Sequence, residues 1–277
     1  MTHRFAAAVL MLGLASSAFA QTDLDALMER VLARRDENWK KLQQYVLDER
    51  ETLRVVSASG APVYGFERDY VWYARDGVFI RGPVRANGVE LPDGARRRAE
   101  AEWLEHEQRR EAWQQELEPR FVSHAYFLKF AFDPGRYALV SRERLDGRSV
   151  LRVEYYPTKL FTAGRSRPNR RLRGRDEDLE AKMNKASLVT LWIDPGDQQI
   201  LQYAFESADG NFLPGHSLVR IEGVEATMKM AQPFAGVWLP HTVAMTFAMR
   251  TATGVVNARY DVEYHDYRLA EVTLKVR

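Results

Sequence analysis

Residues 188–205 read LVTLWIDPGDQQILQYAF, and this stretch indicates the fold more directly than any other part of the chain. Two apolar runs, Leu188–Ile193 and Ile200–Phe205, flank a turn at Pro195–Gly196, which is typical of two strands joined by a short connection. Because successive residues of both runs are mostly apolar, both faces of these strands are expected to be buried. Val243–Met249 has the same character, so other parts of the chain must cover both faces of these three strands.

The remaining strand signals show one buried and one wet face. Apolar and polar residues alternate with a period of two at 151–155, 224–230 and 260–264. Earlier in the chain, the β-rich runs 70–73 and 78–80 flank Asp76–Gly77, a strong hairpin signal. These patterns predict an antiparallel sheet of roughly ten strands.

Two segments have helical periodicity instead. Asp23–Leu42 carries apolar residues at steps of three and four. Gly94–Glu118 is highly charged and has one narrow apolar stripe that includes Trp103 and Trp113, and Pro119 ends it. A helix with one apolar edge and a solvated back is expected to lie over another surface rather than inside a core.

The first twenty residues predict export. Arg4 precedes the apolar run Phe5–Leu14, and Ala18-Phe19-Ala20 offers a cleavage site before Gln21. An uncleaved anchor is the alternative, but about ten apolar residues are too short to span a bilayer. The chain has no cysteine, so neither a lipid anchor nor a disulfide is expected. We therefore expect a soluble periplasmic protein with one domain over 21–277.

Motifs that carry catalytic or metal chemistry are sparse. The histidines left after cleavage fall in different segments without metal-ligand spacing: His106, His124, His216, His241 and His265. Carboxylates two residues apart, at Glu49 and Glu51 or at Asp176 and Asp178, are interpreted as solvated surface. No nucleophile elbow or phosphate-binding loop is present. We expect no cofactor, no metal and no catalysis, although catalytic groups can meet in space.

One insertion is rich in arginine. It spans about 163–186, with its arginines between Arg165 and Arg175 ahead of an acidic block. A solvated loop is the simplest interpretation, and contact with a lipid headgroup or an acidic protein is the alternative. The lack of interleaved aromatic residues and the predicted export argue against nucleic acid as a partner.

The aromatic residues suggest a more specific function. Apolar ligands bind in pockets lined by hydrophobic and aromatic side chains with few polar groups. An ordinary packed core is the alternative. The candidate residues for a hydrophobic cavity and its helical lid are Trp72, Trp103, Trp113, Trp192, Phe205, Trp238, Met245 and Phe247.

Several short patches are similar to outer-membrane lipoprotein-sorting-like proteins. They are Leu191–Asp194 followed by Gln199–Leu201, Gly236–Pro240, Tyr264–Arg268, and Asn87–Leu91 running into a charged helix. With the order of elements, they make the chain resemble the periplasmic lipoprotein-carrier superfamily (LolA/LolB-like). That resemblance implies a half-open antiparallel barrel lidded by helices. The helical insertion at about 94–118 and the arginine-rich loop make this chain longer than those carriers.

The sequence thus predicts an α+β fold, a strongly curved antiparallel sheet with helices covering its concave face. The leading functional hypothesis is a non-catalytic periplasmic carrier that holds an acyl chain, lipid or lipidated protein. A second hypothesis is a ligand-free scaffold that contacts an envelope protein, and a third is an enzyme whose site is assembled only in the fold. No membrane-spanning segment is expected.

Overall fold

The computed structural model describes residues 21–42, 44–75, 78–108, 132, 134–156, 187–207, 219–251 and 254–270. Some predictions lie outside these residues: the export signal at 1–20, the hairpin turn Asp76–Gly77, Trp113 with the end of its helix, His124, His216, and the arginine-rich insertion with Asp176 and Asp178.

Eleven strands form one open antiparallel sheet within the described residues. They are β1 (Tyr45–Ser57), β2 (Pro62–Arg75), β3 (Val78–Ala86), β4 (Val89–Glu90), β5 (Tyr137–Leu145), β6 (Arg148–Tyr155), β7 (Ser187–Asp194), β8 (Gln199–Ser207), β9 (Val219–Phe234), β10 (Val237–Thr251) and β11 (Gly254–Leu269). Their spatial order is β4-β3-β2-β1-β11-β10-β9-β8-β7-β6-β5. The predicted antiparallel sheet is confirmed. Register shifts mark bulges in several of its strands, which bend it.

Two strand connections are short turns built from residues that favour left-handed backbone angles. Asn87 and Gly88 join β3 to β4 with φ values of 50° and 79°. Asp146 and Gly147 join β5 to β6 with 50° and 82°. These left-handed values suit Asn, Asp and Gly, which explains the local sequence signal.

One face of the sheet carries the main core, and we call it the inner face. Leu47, Tyr203 and Val243 lie on it and are at most 2% exposed. The side chains that share this face follow from the strand register, for example Val243 opposite both Met228 and Val262. The alternating burial of strands such as β1 is the predicted period of two.

Helix α1 (Gln21–Leu42) packs diagonally across this inner face. Near its start, the Asp25 carboxylate accepts a hydrogen bond of 3.0 Å from the Gly135 amide, just before β5. Near its end, the Asn38 amide donates a 2.9 Å hydrogen bond to Gln199, the first residue of β8. Its apolar side is buried with the sheet core: Leu24, Leu27, Met28, Val31 and Leu42. The predicted helix is confirmed.

Helix α2 (Asp93–Gln108) lies against β3. Trp103 donates from Nε1 to the carbonyl of Phe79 at 3.0 Å, and its ring meets Trp72 edge-on at 5.8 Å between centroids. Gly82 permits the close approach, because a Cβ there would be 3.1 Å from the Glu100 carboxylate. The predicted charged helix is confirmed as far as Gln108.

A second, smaller cluster on the opposite, outer face explains the stretch 188–205. Val150, Leu201 and Trp238 are buried together there, with Trp192 packed against them. Ile193 and Ile200 meanwhile face the main core. The β7–β8 pair therefore contributes to a core on each face, which is why its residues are apolar on both.

Candidate functional site

A group of charged side chains lies on the inner face between β1, β3 and β11. Glu49 and Glu51 are two residues apart on β1, so both point to the same face. Arg81 reaches them from β3, two strands away, and Tyr260 reaches Glu51 from the other side, on β11. We call these four residues the polar wall.

Its contacts are close and shared. The Arg81 guanidinium binds both oxygens of Glu49, with Nε 3.3 Å from Oε2. The same Nη2 atom that contacts Glu49 lies 3.3 Å from Glu51 Oε2, and Tyr260 donates to Glu51 Oε1 at 2.8 Å. Trp72 donates its indole N–H to Glu49. One cation therefore serves two carboxylates.

Burial makes this group unusual. Glu49 is 1% exposed, Glu51 6% and Arg81 8%. Burial raises the pKa of the Glu49 carboxyl, and the attraction of Arg81 only partly offsets this effect. Burial by itself would lower the pKa of Arg81, but the charge and hydrogen bonds of Glu49 raise it. Burial and the neighbouring charge of Glu51 raise the pKa of Tyr260.

The interpretation of Glu49 and Glu51 as solvated surface is therefore wrong. Their two-residue spacing is common on any wet strand face, and the sequence does not show which face of β1 turns inward. The partner, Arg81, is thirty residues away in sequence and two strands away in space. A usable signal was the row Tyr45, Leu47, Glu49 and Glu51, which continues an apolar face with two acids.

Beyond the polar wall, the inner face becomes apolar but only half-buried. Register places Leu53 opposite Phe66 and Tyr260, and Phe247 opposite Val224. We call this surface the apolar corner, and its members span five adjacent strands: Leu53, Phe66, Val224, Met245, Phe247, Val256 and Tyr260. Strand spacing makes it about 19 Å wide. Helix α1 contacts the other part of this face.

Seven of the eight residues predicted to line a cavity lie in the described part of the chain, where they fall into separate places, and Trp113 lies outside it. Trp72 and Phe205 are in the main core, and Trp103 packs against Trp72 from α2. Met245 and Phe247 lie in the apolar corner. Trp192 and Trp238 instead share the smaller outer-face cluster, where Trp192 donates to Glu143. The structure brings five candidates to the inner face or its edge, and their role in binding stays a prediction. They are Trp72, Trp103, Phe205, Met245 and Phe247.

Within the part of the chain that the structure describes, one group has the composition of a cation site. Asp48, His265 and Asp266 bring ligand atoms within 4.8 Å of one another. Arg268 already pairs with Asp48 at 2.9 Å, and His265 contacts Asp266 at 2.9 Å. These partly exposed side chains thus satisfy one another, and they assign no metal. The expectation that the protein uses no cofactor stays a prediction.

No family model matches the chain, and no curated protein matches it. Among solved structures, it is similar to an outer membrane lipoprotein-sorting protein domain from Vibrio parahaemolyticus, with 14% identity, a TM-score of 0.39, and coverage of 91% of this chain and 94% of that one. It is also similar to a DUF1329 family protein from Desulfovibrio piger, with 11% identity, a TM-score of 0.34, and coverage of 88% and 92%.

A third similar structure is lipovitellin, at 7% identity and a TM-score of 0.35, covering 84% of this chain and 26% of that one. The first match is a lipoprotein-sorting protein domain, the kind of protein that the sequence patches resemble. At these identities the likeness concerns architecture only, so the ligand has to follow from this chain's own residues. Within the described residues, no helix is both long and apolar enough to cross a membrane.

Proposed function

We propose that this protein is a non-catalytic periplasmic carrier that binds an acyl chain, a lipid or a lipidated protein on its inner face. The apolar corner is the observation that carries the proposal. It is a continuous apolar surface on five strands, it adjoins the core, and its side chains stay half-buried where those under α1 are fully buried. An apolar surface that a fold leaves partly exposed is typical of a binding site.

The chemistry of the corner suits a flexible hydrocarbon. Aliphatic and aromatic side chains line it, and Met245 supplies an unbranched, adaptable side chain that can adjust to chains of different shape. Each methylene group that moves from water onto this surface contributes about 0.8 kcal/mol. A long acyl chain would therefore bind without any dedicated polar motif, consistent with the absence of such a motif in the sequence.

The polar wall would set the orientation of a bound ligand. It borders the corner through Tyr260, which belongs to both, so a bound chain would have its hydrocarbon on the corner and a polar group near Glu51. We propose further that the helices cover the concave side of the sheet. In this arrangement α2, which contacts β3 through Trp103 and Glu100, moves to admit the ligand.

Fluorescence titration with a dansyl-labelled fatty acid tests the proposal. The wild-type protein should bind the probe saturably. Phe247→Glu places a carboxylate on the corner, and losing contact with two methylenes, at about 0.8 kcal/mol each, should weaken binding by more than tenfold.

Thr246→Glu is the matched control, because Thr246 is the adjacent residue, is exposed and points to the outer face. It should leave the affinity unchanged. Absence of saturable binding by the wild type, or equal losses in both variants, would reject the proposal and favour the ligand-free scaffold. If the wild type binds the probe and only Phe247→Glu weakens binding, native mass spectrometry of protein isolated from the periplasm would identify the natural ligand.

A further inference from the structure

A small pocket lies where the end of α1 meets the sheet, far from the apolar corner. It has room for about one water molecule. Two of its lining residues are polar and almost completely buried, Asn38 at 2% exposed and Gln199 at 1%. The others are Arg35, Met230, Trp238, Leu239 and Pro240. Buried amides among apolar side chains need hydrogen-bond partners, since an unmatched buried polar group is destabilising.

The orientation of both amides follows from one backbone carbonyl. The carbonyl of Ile200 can only accept, so the side-chain atom of Gln199 that lies 2.8 Å from it must be the NH₂ group. The other end of Gln199 is then its oxygen, and it must accept from the Asn38 NH₂ at 2.9 Å. Rotating either amide by 180° would bring two acceptors together. The hydrogen bonds therefore fix which side-chain atom is nitrogen and which is oxygen in both residues.

In this chain of hydrogen bonds, one acceptor has no donor. The Oδ1 atom of Asn38 is buried and has no hydrogen-bond partner among the residues that the structure describes. The Gln199 NH₂ group also has a second proton besides the one directed at Ile200. An acceptor and a donor proton therefore lie on two residues that line the same pocket, and Met230 beside them is a side chain that can shift to make room.

We infer that this pocket binds one ordered water molecule, which donates to Asn38 Oδ1 and accepts from Gln199. The water would complete a polar contact between α1 and β8 in a pocket whose other lining residues are apolar apart from Arg35. Apolar packing alone lets a helix slide, whereas directional hydrogen bonds fix its position. Together with the Asp25–Gly135 contact at the other end, the water would make α1 a fixed wall of the inner face rather than a moving cover.

A high-resolution crystal structure and water–protein cross-relaxation by NMR test this inference. Density should appear about 2.5–3.0 Å from Asn38 Oδ1, and the Asn38 side-chain amide should show a cross-peak to a long-lived water. An empty pocket, or an Asn38 amide bonded to a protein atom through Oδ1, would overturn the inference. Both observations use the unmodified protein, so they do not depend on whether a variant folds.

Two variants sharpen the test. Asn38→Leu removes the acceptor, and the water cross-peaks of neighbouring amides should disappear. Lys40→Leu changes an exposed residue of the same helix and should leave those cross-peaks intact. Persistence of the signal in Asn38→Leu would show that the water is held by other groups and would overturn the assignment. This inference does not rest on the proposed function, because neither measurement involves a lipid.

Discussion

The inner face has two parts that lie on the same sheet but are packed differently. Where α1 crosses the sheet, Met228 on β9 and Tyr203 on β8 have no exposed surface. In the apolar corner, Met245 and Phe247 on the neighbouring strand β10 are only half-buried. The side chains are equally apolar in both parts, so the difference comes from what covers them. Stability should therefore depend on the first part and ligand binding on the second.

The largest expected effect concerns the polar wall, which lies between these two parts. Arg81→Met leaves two buried carboxylates without their cation, and breaking a buried ion pair costs about 3–5 kcal/mol of unfolding free energy. Urea denaturation would measure it. Arg85→Met is the matched control on the same strand, because Arg85 is exposed and its 3.6 Å contact with Asp69 is solvated. The control should change stability by less than about 1 kcal/mol; equal effects would show that the wall is not buried in solution.

The next prediction makes the same substitution, Met to Ala, in the part under α1 and in the apolar corner. Met228→Ala should lower the unfolding free energy by about 2–5 kcal/mol, because it opens a cavity in a packed core. Met245→Ala should cost clearly less, because its side chain is already half-exposed and less contact is lost. Equal losses in urea denaturation would contradict the distinction between core and corner.

A smaller effect is expected where α2 attaches to the edge of the sheet. Trp103→Phe keeps an aromatic ring against Trp72 but removes the hydrogen bond to the Phe79 carbonyl. The loss should be about 1 kcal/mol, the typical net contribution of one hydrogen bond. Glu102→Gln alters an exposed neighbour and should have no measurable effect. A loss several times larger for Trp103→Phe would mean that α2 is an integral part of the core.

The last prediction concerns pH. Burial raises the pKa of Glu49 above its usual value near 4.5, so between that value and the raised pKa the folded state binds more protons than the unfolded state. The contribution of Glu49 to stability must then decrease as the pH rises through this window. Glu49→Gln should remove that decrease, which urea denaturation at several pH values would detect. Identical pH slopes in the two proteins, or a steeper fall in the variant, would refute the assignment.

Much of the fold was predictable because its signals are local. The alternation at 151–155, the turn pair Asn87–Gly88 and the helical period of Asp23–Leu42 each depend on a few neighbouring residues, and the structure has a strand, a turn and a helix there. The two-sided apolar character of 188–205 correctly indicated cover on both faces, which the main core and the smaller outer-face cluster provide.

The candidate site was less predictable because its parts meet only in the fold. Trp192 and Trp238 were expected beside Trp72, yet they belong to a cluster on the opposite face, since a strand residue and its neighbour point in opposite directions. Glu49 and Glu51 were predicted to be solvated because nothing in the sequence identifies Arg81 as their partner.

The sequence by itself determined the elements of this protein: antiparallel strands, one helix ahead of the sheet and one charged helix within it. Periodicity and turn chemistry specify these locally. Only the tertiary structure decided that β1 pairs with β11, which brings residues more than two hundred positions apart, such as Glu51 and Tyr260, into one polar wall. It also decided which apolar residues α1 covers and which it leaves in the corner, because burial depends on what packs against a face and not on the residues of that face.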